Sequence, residues 1–259
     1  MEILPDLSIC VIARQGGEMI RGFLRSLFDA PGYVDLQVIV AVTDRALAAE
    51  LGREFVEAMI CEEKDLGAPD TVLFNQLMQL ASGRYLAMVS ENVRSPAVAL
   101  ERLLDFMEDE PDVGLIGPRL LLPSGAVAGS TRRFLSLPAL LLLDCLPTRA
   151  GLIKSLWRRH FLTDWDRASS REVEWLSDLF LLFRREVLEE VGGLDQSFAC
   201  RYGDLDYCYR ARRAGWHNQF FHEAEMVLAK VPELEREDGW QVLLDGVRFL
   251  GKKWCGFLG

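Results

Sequence analysis

Three short runs of the chain are apolar at consecutive positions instead of alternate ones: LSICVIA (Leu7–Ala13), LQVIVAV (Leu36–Val42) and YLAMVS (Tyr85–Ser90). A strand with one wet face alternates apolar and polar side chains, so such runs demand strands covered on both sides. Between them the apolar spacing becomes that of helices. Met19, Ile20, Phe23, Leu24 and Leu27 follow Gly16-Gly17 and stop before Pro31-Gly32. Leu73, Leu77, Leu80 and Ala81 run up to Gly83, and Leu100, Leu103, Leu104 and Met107 lead to Pro111. The pattern also predicts a helix over residues 45–58 and strands over 59–61 and 113–116. Strands alternating with helices imply an α/β fold, with a mixed, mostly parallel central sheet, helices on its flanks and right-handed crossovers. Ligands of such sheets bind beyond the carboxyl ends of the strands. Those ends are Arg14-Gln15, Thr43-Asp44 and Ser90-Glu91-Asn92.

Half of the 259 residues are hydrophobic, enough to core one large α/β domain or two smaller lobes. The formal net charge of −10 excludes the basic footprint of a general nucleic-acid binder. Cys10, Cys61, Cys145, Cys200, Cys208 and Cys255 include no CxxC pair, which reads as buried thiols in a reducing compartment. The opening MEILPDLSIC lacks a basic n-region and a long apolar stretch, and the apolar run at 137–143 is far shorter than a membrane span. The expectation is a cytoplasmic protein, with peripheral contact at the inner face of a membrane as a minority reading. No GxGxxG or GxxxxGK[ST] follows a strand, so neither standard phosphate cradle is present.

The second half is less regular at first. Residues 118–171 read as a partly ordered insertion. It contains a turn at Pro123-Ser124-Gly125, the pair Arg132-Arg133 and a basic cluster of Arg149, Lys154, Arg158, Arg159 and Arg167. That cluster is either a solvated face or a contact for phosphate or anionic lipid. A strand is expected over 173–183, starting near Trp175, then a helix over 184–191 stopped by Gly192-Gly193, a helix over 204–214 stopped by Gly215, and one or two edge strands over 219–229. Beyond residue 236, Trp240, Leu243, Leu244, Val247, Leu250 and Trp254 mark a terminal amphipathic helix that packs on the core or docks on a membrane surface. The densest chemistry lies in Tyr202-Gly203-Asp204-Leu205-Asp206. Two carboxylates there open a helix, as a catalytic pair or as an N-cap with its favourable dipole contact.

In order, these pieces resemble the family 2 glycosyltransferases of GT-A fold, in their rhamnosyltransferase-like branch. The resemblance covers roughly residues 7–229. It is carried by LSICVIA and LQVIVAV, by Asn75-Gln76-Leu77 with Ala81-Ser82-Gly83-Arg84-Tyr85-Leu86, and by Pro111-Asp112-Val113-Gly114-Leu115-Ile116-Gly117-Pro118-Arg119-Leu120. Ser124-Gly125 and Ser130-Thr131-Arg132-Arg133-Phe134 continue it. Its most specific part is Val173-Glu174-Trp175, Arg184-Arg185-Glu186-Val187, Val191-Gly192-Gly193-Leu194-Asp195 and Gly203-Asp204-Leu205-Asp206-Tyr207-Cys208-Tyr209-Arg210. The resemblance implies an inverting transfer of a sugar from a nucleotide-diphosphate donor to a glycan, lipid-linked or protein acceptor. It places the catalytic base at Asp204, with Asp206 supporting it. It places donor contacts at Arg14, Asp44, Asn75, Glu91 and Asn92, and acceptor contacts at Trp175, Arg132, Arg133 and Arg210. It divides the domain into a nucleotide-sugar half (1–92) and an acceptor half (93–235), followed by the helix at 236–259.

Several landmarks depart from the family pattern. The acidic residue that usually precedes the base is Gly203. The metal-binding Asp at the end of the strand is Asn92, with Glu91 one residue out of register, and the usual His after the last strand is Lys230. A divalent cation, Mg or Mn, is therefore implied by the family but weakened by these residues, leaving Glu91 as the metal-ligand candidate. The Asp expected after the second strand aligns with Val42, with Asp44 displaced from it. The Thr-Tyr-Asn expected after the first strand is Ala13-Arg14-Gln15. Where a Gly-Ala pair is usual after Trp175, the chain has Ser177-Asp178-Leu179. These departures sustain an alternative reading, a catalytically degenerate transferase acting as scaffold or partner subunit of a glycan biosynthesis complex, with a partner protein or a homo-oligomer as the expected assembly.

Overall fold

The computed structural model describes residues 4–29, 32–63, 67–134, 155, 158–198, 202–232, 248, 249 and 251. The apolar runs become central strands with the expected ends: β1 (Leu7–Ala13), β2 (Leu36–Val42) and β4 (Tyr85–Ser90). β1 pairs in parallel with β2 on one side and β4 on the other. Each run serves two layers. Leu7, Ile9, Val11, Ala13, Val38, Val40, Val42, Tyr85, Ala87 and Val89 face one apolar cluster, while Cys10, Ile12, Ile39, Ala41, Leu86 and Met88 face the other. Helices α1 (Gly17–Phe28), α2 (Arg45–Glu54) and α4 (Ala97–Asp109) cover the first face. α3 (Asp70–Leu80), α5 (Arg185–Val191) and α6 (Gly203–Arg213) cover the second. The result is a three-layer α/β/α arrangement around two cores.

The main sheet has nine strands among the described residues. Its order is β3 (Ala58–Glu62), β2, β1, β4, β10 (Phe180–Arg184), β6 (Val113–Leu121), β11 (His217–Leu228), β5 (Val93–Arg94), with β8 (Arg171–Glu172) also pairing β11. β10 is antiparallel to both β4 and β6, whereas β11 runs parallel to β6. A small second sheet joins β7 (Thr131–Arg132) to β9 (Trp175–Leu176).

Four expectations are corrected. The helix expected over 45–58 stops at Glu54, because buried Phe55 turns the chain out of helical geometry and Ala58 already pairs with Val38. The strand expected over 173–183 is broken at Ser177–Leu179, where side-chain and backbone bonds around the Ser177 hydroxyl replace the ladder, so that β9 and β10 enter different sheets. The stretch at 219–229 is one long strand inside the sheet, its flank covered by β5 and β8, with a register break between Phe221 and Glu225. In the basic cluster, Arg167 is not a solvated residue. It is buried, donating to the Thr131 hydroxyl and the Phe161 carbonyl, while Arg158 pairs with Asp164. Arg149 and Lys154 lie outside the described residues. So does most of the terminal helix, of which Phe249 is buried against Phe134 and Tyr209. No helix among the described residues is long and apolar enough to cross a membrane.

One ion pair anchors α6. Asp206 is fully buried and accepts from Arg210 one turn later at 2.7 Å. The same guanidinium donates to the carbonyls of Val191 at 2.6 Å and Gly193 at 2.8 Å. It thereby closes the end of α5, where Gly192 supplies a φ of 76°. Asp206→Ala leaves this guanidinium without its counter-charge and is expected to destabilise the fold by about 2 to 3 kcal/mol, the lower end for a broken buried pair because Arg210 keeps some solvent contact. Denaturant unfolding of the variant measures this, with a matching loss expected for Arg210→Ala.

Candidate functional site

Because β10 is antiparallel, its amino end lies at the same edge as the carboxyl ends of β1, β4 and β11. That edge gathers Arg14 after β1, Glu91 and Asn92 after β4, Asp178 before β10 and Lys230 after β11. α6 starts beside them. Its cap position is Tyr202 in the left-handed region (φ 68°), with no side-chain cap bond, so Asp204 lies inside the first turn and is not the N-cap. Gly203 allows this start: a Cβ there would lie 2.7 Å from the Thr71 methyl at the head of α3.

Asp204 is half-buried and receives the amides of Leu205 at 2.8 Å and Asp178 at 3.2 Å. Solvent reaches both its carboxyl and that of Asp178, but protein surrounds them on the remaining sides, so they stand in a recess. Burial raises the Asp204 pKa. The Trp175 indole N–H, the Arg132 guanidinium and the two amides pull the other way. The indole N–H is buried outside proper hydrogen-bond geometry but close enough to favour the ionised carboxylate. Asp178 is raised by burial, then by the charges of Asp204 and Asp70, against Arg132 and the Ser177 hydroxyl. Two neighbouring carboxyls in one recess titrate as a pair, and the first proton to leave comes off more easily than the second.

Of the aromatic and basic residues expected on the acceptor side, Trp175 and Arg132 sit beside this pair. Trp175 is buried, with Tyr202 and His160 beside it and the Arg132 guanidinium 4.5 Å over its ring. Arg132 also lies 5.0 Å over Phe161, and the β7–β9 register puts Arg132 opposite Trp175. The Arg133 backbone bonds His160 from both sides while its side chain is exposed. Arg210 lies away from this group, bound to Asp206 and the α5 carbonyls. Asp206 faces the same staple and not the recess.

On the donor side, Arg14 bonds Asp70 at 2.8 Å and the Ala68 carbonyl at 2.7 Å, keeping part of its surface exposed. Asp44 caps α2 through the amides of Ala46 and Leu47. Both ends of the Asn75 side chain bond the Leu194 backbone, at 2.7 and 2.8 Å, so it joins α3 to the turn after α5. Both ends of the buried Asn92 amide bond the Lys230 backbone, each at 2.9 Å. Glu91 is buried, and one of its oxygens accepts the Arg14 and Gln15 amides at 2.7 and 2.5 Å. Its other oxygen is buried without a partner among the described residues. This donor set does not fit a divalent ion, which wants about six oxygens in a regular shell. Glu91 holds backbone, Asn92 holds Lys230, and no group of three His, Cys, Asp or Glu among the described residues is placed to bind a metal.

Two site residues had little or no sequence signal. Asp178 stood out as a carboxylate where small residues are usual, but nothing local placed it against Asp204. Asp70 looked like any acidic residue in the first turn of a helix.

Comparison with known proteins agrees with this architecture. The family model described as glycosyltransferase like family 2 matches residues 5–244. The N-acetylglucosaminyl-diphospho-decaprenol L-rhamnosyltransferase of Mycobacterium tuberculosis is 30% identical over 147 residues, covering 54% of this chain and 45% of that protein. An uncharacterized Sinorhizobium fredii protein is 21% identical over 244 residues, covering 87% of this chain and 24% of its own length. The chain thus spans less than half the length of the curated relatives it matches. Among solved structures, GalNAc-T7 with UDP, GalNAc and Mn2+ superposes with a TM-score of 0.69 at 12% identity, over 97% of this chain and 48% of that one. The mannosyltransferase PcManGT of Pyrobaculum calidifontis, with GDP-Man and Mn2+, gives 0.58 at 13% identity, over 90% and 59%. These two share the GT-A fold seen here. With the family model matching most of its length, the chain belongs to the glycosyltransferase-like family 2.

Proposed function

We propose that the chain transfers a sugar from a nucleotide-diphosphate donor to an acceptor hydroxyl, with inversion, and that Asp204 is the base. The observation that carries this is the position of Asp204: a half-buried carboxylate, open to solvent in a recess at the carboxyl edge of the sheet, flanked by an indole N–H and a guanidinium. Those neighbours favour its ionised form, the form that accepts a proton. As the acceptor oxygen bonds to the sugar, its proton passes to Asp204, and the bond to the diphosphate breaks with its electron pair leaving on the phosphate oxygen. Arg132, its guanidinium over both the Phe161 and Trp175 rings, fixes positive charge beside the carboxylates and sets one wall of the acceptor side. The rhamnosyltransferase relative acts, by its name, on a lipid-linked N-acetylglucosaminyl diphosphate. A lipid-linked glycan is accordingly the first acceptor class to test, with peripheral membrane contact as its corollary.

The test is turnover of a panel of nucleotide sugars with lipid-linked and soluble glycan acceptors. Asp204→Asn is expected to cut transfer about a hundredfold or more while nucleoside-diphosphate binding holds and the melting temperature does not fall. Full turnover by that variant removes Asp204 as the base. A parent protein that binds no nucleotide diphosphate and turns over no donor points instead to the scaffold reading, in which the chain serves a partner transferase.

The Asp178–Asp204 pair also gives a pH signature. Folding raises the Asp178 pKa, so its contribution to stability is fully present below the ordinary carboxylate range and is lost as pH rises through the folded value. Asp178→Asn removes that loss. The variant is expected to melt above the parent at about pH 8, with the gap closing toward about pH 4. Melting curves across that range check the sign.

A further inference from the structure

The ends of β4 and β11 carry an arrangement that deepens the donor reading and rests on it. The contacts that tie up Asn92 also position a cation. Its amide grips the Lys230 peptide from both sides, accepting from the N–H and donating to the carbonyl, each at 2.9 Å, and the Ala229 amide bonds the Asn92 carbonyl at 2.8 Å. Lys230 is thereby pinned beside the carboxyl end of β4 by its backbone alone, leaving its side chain unconstrained by the clamp.

The charges nearby are unevenly committed. The Arg94 guanidinium is bound to the carbonyls of Glu91, Val93 and Met19. Arg14 is paired with Asp70 at 2.7 Å. The Lys230 ammonium lies close enough to the buried Glu91 carboxylate to favour its charged form, yet it closes no ion pair among the described residues and keeps partial solvent contact. Glu91 itself is turned onto the Arg14 and Gln15 amides. The strand edge at which a divalent ion would need hard oxygen ligands therefore presents an amide bound to backbone, a carboxylate bound to backbone and an ammonium.

We propose that Lys230 takes the place of the divalent ion, binding the diphosphate of the donor as a fixed cation, so that this donor site works without metal. A lysine ammonium is a compact point charge with three donors, suited to phosphate oxygens. When the sugar–oxygen bond breaks, the electron pair stays with the leaving diphosphate, and the added negative charge faces the ammonium. Lys230 stays protonated throughout and transfers nothing.

The experiment is calorimetric titration of UDP, GDP, dTDP and ADP, and of the matching nucleosides, into the parent, Lys230→Met and Lys230→Arg proteins, in EDTA and separately in Mn2+. One diphosphate is expected to bind the parent about equally in both buffers. Lys230→Met is expected to weaken it about tenfold or more, the scale of one charge-assisted phosphate contact. Lys230→Arg should recover most of the loss, and nucleoside binding should not change. Because the clamp uses only the backbone of residue 230, all three proteins should melt together. Binding that needs Mn2+ overturns the inference and leaves the donor reading standing, as does metal-free binding that Lys230→Met leaves intact. No diphosphate binding under any condition overturns both.

Discussion

The direction of β10 decides what the carboxyl edge of the sheet can contain. A sheet of parallel strands alone would bring only strand-following loops to that edge. With β10 reversed between β4 and β6, a strand-preceding loop arrives there too, and it carries Asp178. Its place mid-sheet between two helical layers requires β10 to be apolar on both faces, which Phe180 and Leu182 supply on one side and Leu181 and Phe183 on the other. The reversal also turns Arg184 toward the far edge, where its guanidinium gathers the carbonyls of Val113, Met107 and Glu110 and the Tyr85 hydroxyl. One short strand thus joins the two halves of the sheet and delivers the second carboxyl of the recess.

Around the recess, charged groups follow two different rules. Asp206 and Arg210 neutralise each other in the interior and bind α6 to α5. Among the described residues Asp204 and Asp178 have no such full partner; they share an accessible recess with Arg132, and their proton affinities are raised. The two aspartates of Gly203-Asp204-Leu205-Asp206 differ only in where helical rotation points them. One successive step sends Asp204 toward the sheet edge, and two residues later Asp206 lies against the packed side.

The central strands were legible because their signal is local: an unbroken apolar run has few alternatives to double burial, and β1, β2 and β4 begin and end where the runs do. The sheet's far side was harder to read. In β11, exposed Glu223, Glu225 and Val227 alternate with buried Ala224, Met226 and Leu228, a pattern that suits an edge strand equally well, and the short strands covering it have almost no sequence signal. Asp204 was legible through its place in an ordered set of motifs. Asn75, Asn92 and Arg210, expected to face donor or acceptor, are bound to backbone, and this is illegible in the sequence for one physical reason. Their partners are backbone groups far away in the chain, at Leu194, Lys230, Val191 and Gly193, and a polar side chain that satisfies buried backbone looks, in sequence, like one that awaits a ligand. Lys230 was noticed as a departure, but only the Asn92 clamp shows why it is held in place.

The contact between Gly203 and Thr71 has a steric consequence for the start of α6. Any side chain at 203 would press its first carbon to 2.7 Å from the Thr71 methyl, and Thr71 is itself buried with its hydroxyl on the Phe198 carbonyl. An acidic residue placed before Asp204 therefore requires a shift of Thr71 on α3 or of the start of α6. The two helices are sterically coupled at this point, so the side chain tolerated at the head of one is set by the residue at the head of the other.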